Sequence, residues 1–109
     1  MMCRGVDRPS GKVSLSAKRR ADTERLEAEL AEWTAVIASY RARAKRAEAG
    51  ARFELDRVTD ELQARRKIAG EQEQRLRKAS DSRWERAKVE LERSWVDIRE
   101  AFRSAADRF

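Results

Sequence analysis

Histidine is absent from this 109-residue chain, and so is asparagine. Without histidine, Ser-His and Cys-His nucleophilic catalysis is excluded in its usual form. The Glu-x-x-His metal sites of helical bundles are excluded with it. A single cysteine, Cys3, falls short of the several Cys or His ligands that zinc needs. No glycine-rich phosphate loop is present, because Gly50 and Gly70 are lone glycines inside helical pattern. The sequence therefore predicts no enzyme, no catalytic or metal-binding residue, no cofactor and no small-molecule substrate. One proline and four glycines leave too few turn signals for a β-sandwich or barrel. No run approaches the roughly 18 apolar residues of a membrane span. The first twenty residues hold no apolar segment of the signal-peptide kind. The expectation is a cytoplasmic protein whose Cys3 stays a free thiol in a reducing compartment.

What the chain has instead is charge. Charged residues make up 42% and the net charge is +6. The excess is uneven. Residues 1–20 hold Arg4, Arg8, Lys12, Lys18, Arg19 and Arg20 against Asp7 alone, a net of +5. Residues 1–16, with Pro9, two glycines and few large apolar groups, read as a basic disordered tail. Its cations and the three that follow are candidates for nonspecific contact with an anionic membrane or nucleic acid. Farther on, Glu48/Arg52, Glu61/Arg65, Glu71/Arg75 and Glu73/Arg77 stand four apart, acid first. That is the favourable order for exposed helical ion pairs, each adding roughly 0.3–0.5 kcal/mol.

The apolar residues fall on a heptad. Leu26, Leu30, Trp33, Ile37, Tyr40, Ala44, Ala47 and Ala51 step by alternating fours and threes. This is the narrow seam of a left-handed coiled coil. After Ala51 come Leu55, Val58 and Leu62, so two steps of four adjoin, a stutter. EAGARFE around Gly50 has no Ser, Thr, Asp or Asn to cap a new helix and no proline to stop the old one. Gly50 therefore reads as a tolerated interior glycine. The better break is ASDSRWE at 79–85, where Ser82 and Glu85 form a capping box. Beyond it runs the bulkiest stripe, Trp84, Lys88, Leu91, Trp95, Ile98, Phe102, Ala105 and Phe109.

These signals predict an all-α chain. A long coiled-coil helix over about 17–79 is followed by a shorter C-terminal helix over about 83–108, which folds back as a helical hairpin. The hairpin core is Leu55, Val58, Leu62, Leu76, Trp84, Leu91, Trp95, Ile98 and Phe102. The short helix cannot reach Leu26, Leu30, Trp33, Ile37 and Tyr40. Burying each is worth about 1.5–3 kcal/mol, too much to leave wet. The expectation is that they meet the same stripe on a second copy, giving a homodimer or higher homo-oligomer. The competing architecture is a three-helix bundle that turns near Gly50 and buries that stripe internally.

The C-terminal part resembles small bacterial coiled-coil proteins of the stress-response type. The residues that carry the resemblance are Lys78-Ala79-Ser80, Trp84, Trp95 and Ala101-Phe102 through Phe109, with Leu30, Trp33 and Tyr40 upstream. It covers about residues 20–109 and implies architecture more than activity. The reading of function is a non-enzymatic, self-associating coiled-coil protein acting as scaffold or interaction module. The alternative is a peripheral binder of anionic membrane or nucleic acid through the basic tail.

Overall fold

The computed structural model describes the backbone of residues 11–109 and the side chains of residues 15–109. The described residues form three helices: α1 (Gly11–Arg46), α2 (Ala49–Lys78) and α3 (Asp81–Arg108). The chain is all-α, but it is not one long helix and a short return. The first helix stops at Arg46, and the expected 17–79 helix is two helices of 36 and 30 residues, together with α3 of 28.

The break has a local cause that involves no side-chain cap. Glu48 takes the N-cap position of α2 in extended conformation, φ −69° and ψ 163°, with no side-chain cap hydrogen bond. Arg52 N–H donates to the Glu48 carbonyl at 2.7 Å, the first bond of α2. The Arg52 side chain turns back instead of pairing with Glu48. Its Nε donates to the Ala44 carbonyl at 3.1 Å and its Nη2 to the Ala47 carbonyl at 3.2 Å. A guanidinium thus satisfies carbonyls that a helix end leaves open. Gly50 sits in the first turn of α2, not inside a continuous helix.

The second turn lies close to its expected place. Ser80, not Ser82, is the N-cap of α3, and it too makes no side-chain cap bond. Its hydroxyl lies 3.2 Å from that of Ser82, so the expected capping box is replaced by a serine pair.

The helices run up, down, up. Contacts between α1 and α2 are antiparallel, as in Arg41–Asp60 at 2.9 Å and Arg77–Glu27 at 3.2 Å. Those between α2 and α3 are also antiparallel, with Gln72 donating to Ser94 at 2.9 Å and Arg108 meeting Glu54 at 2.7 Å. The first and third helices are therefore parallel. Ion pairs Lys18–Glu85, Asp22–Lys88, Arg25–Glu92 and Glu29–Arg99 step along both in the same direction.

That arrangement settles where the first seam goes. Leu26, Leu30, Trp33, Ile37 and Tyr40 are all buried inside the single chain. Trp33 stacks on Phe102 with centroids 4.9 Å apart and planes 7° from parallel. It meets Trp95 at 5.0 Å, tilted by 49°. Tyr40 meets Phe109 edge-on at 5.6 Å. The seam residues thus join one core with Leu55, Val58, Leu62, Leu76, Trp84, Leu91, Trp95, Ile98 and Phe102. A dimer through this seam requires that α3 not reach its residues. Because the chain turns at residues 47–48, α3 lies along α1 and covers them, and that premise is removed.

Trp84 and Trp95 are both 0% exposed. Each indole N–H is buried without a hydrogen-bond partner, a cost on the order of 1–3 kcal/mol apiece. Burying a large side chain in full, worth about 1.5–3 kcal/mol or more, offsets that cost. Truncating Trp95 to alanine opens a cavity against Trp33. Trp95→Ala is expected to lower stability by about 3–5 kcal/mol in denaturant unfolding. An unchanged midpoint would contradict the placement of α3 on α1.

Candidate functional site

The bundle's core is spent on holding three helices together, so any site lies on its outside. One face carries a groove lined only by α1 and α2. It consists of two adjoining hollows that share Gln63 and Arg66. The first, of about 720 Å³, is lined by Thr34, Ile37, Ala38, Arg41, Ala42, Lys45 and Arg46 of α1 with those two shared residues. The second, of about 670 Å³, runs on past Glu27, Leu30 and Ala31 of α1 and from Ala64 to Arg77 of α2.

Small side chains make the groove. Ala31, Ala38 and Ala42 are exposed on α1, between seam residues that face inward. Ala64 and Gly70 line the opposite wall on α2. Two arginines cross between the walls. Arg66 Nε donates to Thr34 Oγ1 at 3.0 Å, and that hydroxyl in turn donates to the Leu30 carbonyl at 3.1 Å. Arg41 Nη2 donates to Gln63 Oε1 at 2.7 Å and to Asp60 at 2.9 Å.

The charge of the two hollows differs. Arg41, Lys45, Arg46 and Arg66 line the first, and no carboxylate lines it. From Trp33 to Ala47 the sequence has four cations and no acid. Cations at the end of α1 suit its dipole, but Arg52 already serves the carbonyls of Ala44 and Ala47. Lys45 and Arg46 pair with no carboxylate among the described residues. The second hollow is balanced, with Glu27, Glu71 and Glu73 against Arg66, Lys67 and Arg77.

Glu73 is the unusual member. Its side chain is buried, the residue being 2% exposed. Arg77 Nε lies 3.1 Å from its Oε2, yet that oxygen accepts no aligned hydrogen bond. Burial pushes the Glu73 carboxyl above its ordinary range, Arg77 draws it partly back, and the neighbouring Glu27 adds to the rise. Asp22, between α1 and α3, is held the other way. Burial raises it, but the hydrogen bonds and charges of Lys88 and Arg25 outweigh that and leave it below its ordinary value.

The N-terminal cations are not a free cluster. Arg4 and Arg8 lie outside the described residues, and so does the side chain of Lys12. Lys18 pairs with Glu85 at 3.1 Å. Arg19 pairs with Asp81, donates to the Ala79 carbonyl at 2.9 Å, and lies over the Trp84 ring. Only Arg20 of the three projects without a carboxylate partner among the described residues. Residues 11–16, read from sequence as tail, belong to α1. Of the four helical ion pairs expected from spacing, Glu61–Arg65 and Glu73–Arg77 form, at 3.3 and 3.1 Å. Arg52 goes to the turn instead. Glu71 and Arg75 do not meet among the ion pairs of the described residues.

Sequence reasoning missed the groove. The basic stretch 41–46 is visible in the sequence, but the alanines beside it carry no signal until the helices are paired. Among the described residues no group of acids, cysteines or histidines is placed to hold a metal. Among the same residues no helix is long and apolar enough to cross a membrane. No family model matches the chain, and no curated protein or solved structure is significantly similar to it.

The two shifted carboxyls give opposite pH signatures. Glu73 has a raised value in the fold, so its charged form opposes folding. That penalty is absent below the unfolded value near 4.5 and grows as pH rises through the folded value. Glu73→Gln is expected to melt higher than the parent at pH 7, with the difference vanishing near pH 4. Asp22 has a lowered value, so it stabilises above the unfolded value near 3.8 and loses that contribution as pH falls through the folded one. Asp22→Asn is expected to melt lower at pH 7, and the gap should close in acid. Thermal melts across pH 3–7 check both signs.

Proposed function

We propose that this chain is a non-enzymatic interaction module, a three-helix bundle that holds a partner macromolecule on its α1–α2 face. The observation that carries the reading is the groove: an apolar floor at Ile37, Ala38 and Ala42, rimmed by Arg41, Lys45, Arg46 and Arg66. Open, small-residue hollows between helices suit contact with another helix more than enclosure of a small molecule, which is normally buried over most of its surface. The lack of histidine and of paired nucleophile and base supports a role without chemistry. Self-association through Leu26, Leu30, Trp33, Ile37 and Tyr40 draws no support from the fold, since those side chains are inside the bundle. Binding of anionic membrane or nucleic acid through the N-terminal cations draws no support from Lys18 and Arg19, which are tied to α3.

The test is site-specific photo-crosslinking in living cells. A benzophenone amino acid placed at Ala42, in the groove, is expected to give a discrete covalent adduct with another protein. The same group at Val96, exposed on α3, is expected to give none. Equal labelling from both positions, or none from Ala42, would count against the module.

A further inference from the structure

We propose that the occupant of the α1–α2 groove is an amphipathic helix of a different protein, with carboxylates clustered at one end and a hydrogen-bond donor near the other. This rests on the reading of the chain as an interaction module and names the chemistry of its partner.

Shape argues for a helix. The lining residues run from Glu27 to Arg46 along α1, about 29 Å at 1.5 Å per residue. That is the length of a helix of about 20 residues. Two packed antiparallel helices offer the ridges and grooves that a further helix fits, at 8–10 Å between axes. Ala38, Ala42 and Ala64 permit the close end of that range, while the Arg66 guanidinium lies over Gly70. No residue of α3 lines the groove, so the fourth position of a bundle is open there.

Charge selects the partner. Over both hollows the lining holds six cations and three carboxylates, a net of +3. A second copy facing the first would bring another +3 into the same space, and like charges across an interface oppose association. An acidic helix neutralises the excess. Nucleic acid fits poorly, because single strands are held by stacking on exposed aromatic rings. Trp33 and Tyr40 are turned into the core, and no aromatic side chain lines the groove. An apolar floor also offers nothing to a phosphate.

The two ends of the groove set the direction. Lys45 and Arg46, which pair with no carboxylate among the described residues, await carboxylates. Toward the other end, Glu73 presents a buried oxygen that has Arg77 Nε 3.1 Å away as an ion-pair partner but accepts no aligned hydrogen bond among the described residues. Such an atom is costly to leave unmet and is satisfied by a lysine, arginine or amide from the partner. The acids and the donor of the bound helix therefore stand some 20–30 Å apart along it, which is about 13–20 residues.

The probe is a synthetic 21-residue peptide with a leucine stripe at heptad spacing, glutamates beside that stripe in its last two turns, and one lysine in its first turn. Its controls are the charge-reversed peptide and a scrambled one. Fluorescence anisotropy is read at 50 and 300 mM salt, and backbone amide shifts map the contact. The acidic peptide is expected to bind, more weakly at high salt, shifting Ala38, Ala42, Arg66 and Gly70. Lys45→Glu with Arg46→Glu should weaken it by about tenfold or more, since two exposed charge contacts become repulsions. The two positions are exposed, so circular dichroism should be unchanged. The inference is overturned if the acidic peptide fails to bind or the reversed peptide binds as well. It is also overturned if the double variant binds equally, if the shifts fall on α3, or if the chain forms a dimer that the double variant abolishes. An adduct from Ala42 in cells together with no peptide binding sinks the acidic-helix inference alone. No adduct from Ala42 sinks the module reading beneath it.

Discussion

The wedge of Trp33 between Phe102 and Trp95 is the contact on which the bundle depends. It forces α1 and α3 to lie side by side and parallel, although they are the first and last helices of the chain. Parallel neighbours in an all-helical chain need a complete helix running back between them, and α2 supplies it. Five large apolar residues of α1 are covered as a result, each worth about 1.5–3 kcal/mol of burial. That gain exceeds what an uninterrupted helix would keep by avoiding one turn at residues 47–48, where only a few hydrogen bonds change and Arg52 replaces part of them.

Electrostatics follow from the same arrangement. The parallel register places acids of α1 against bases of α3 at Asp22–Lys88 and Glu29–Arg99, and Lys18 against Glu85. The Glu29–Arg99 contact uses both guanidinium donors, at 2.6 and 3.0 Å, and Arg99 lies over the Trp95 ring as well. Glu29 raises the Arg99 value above its ordinary one despite burial. Charges that face α3 are consumed in fixing register. At the C-terminal end of α1, Arg43 donates to the Phe109 oxygen at 3.1 Å, whereas Lys45 and Arg46 meet no carboxylate among the described residues, and with Arg41 and Arg66 they make one end of the groove basic.

Helical class and the core residues were legible from periodicity, because inward positions on a helix must repeat every three or four residues. Leu91, Trp95 and Ile98 could be placed from spacing alone. The number of helices was not, and the reason is specific. The start of α2 is capped by Glu48 in extended conformation and clamped by an arginine, a device without the Ser, Thr, Asp or Asn that marks a helix start. The stutter between Ala51 and Leu55 was the visible trace of that break. By spacing alone a stutter means local unwinding of one supercoil; here it is the change of phase from one helix to the next. The premise of the oligomer expectation, an uncovered first seam, went with it, since stripe length alone does not tell whether the cover comes from within the chain. The groove was illegible because its floor is built from alanines, which any helix tolerates.

The central claim, that α3 lies parallel along α1 within one chain, is tested most directly by a spin-label distance. Cysteines replace Arg20 and Arg86, both exposed, in a chain whose Cys3 is changed to serine, and labelled chains are diluted in excess unlabelled ones. The bundle predicts a narrow distance distribution centred near 20 Å, as for labels on adjacent helices. A continuous helix through residue 79 with a short return would put the labels about 80 Å apart at 1.5 Å per residue. A signal beyond about 60 Å would contradict the account.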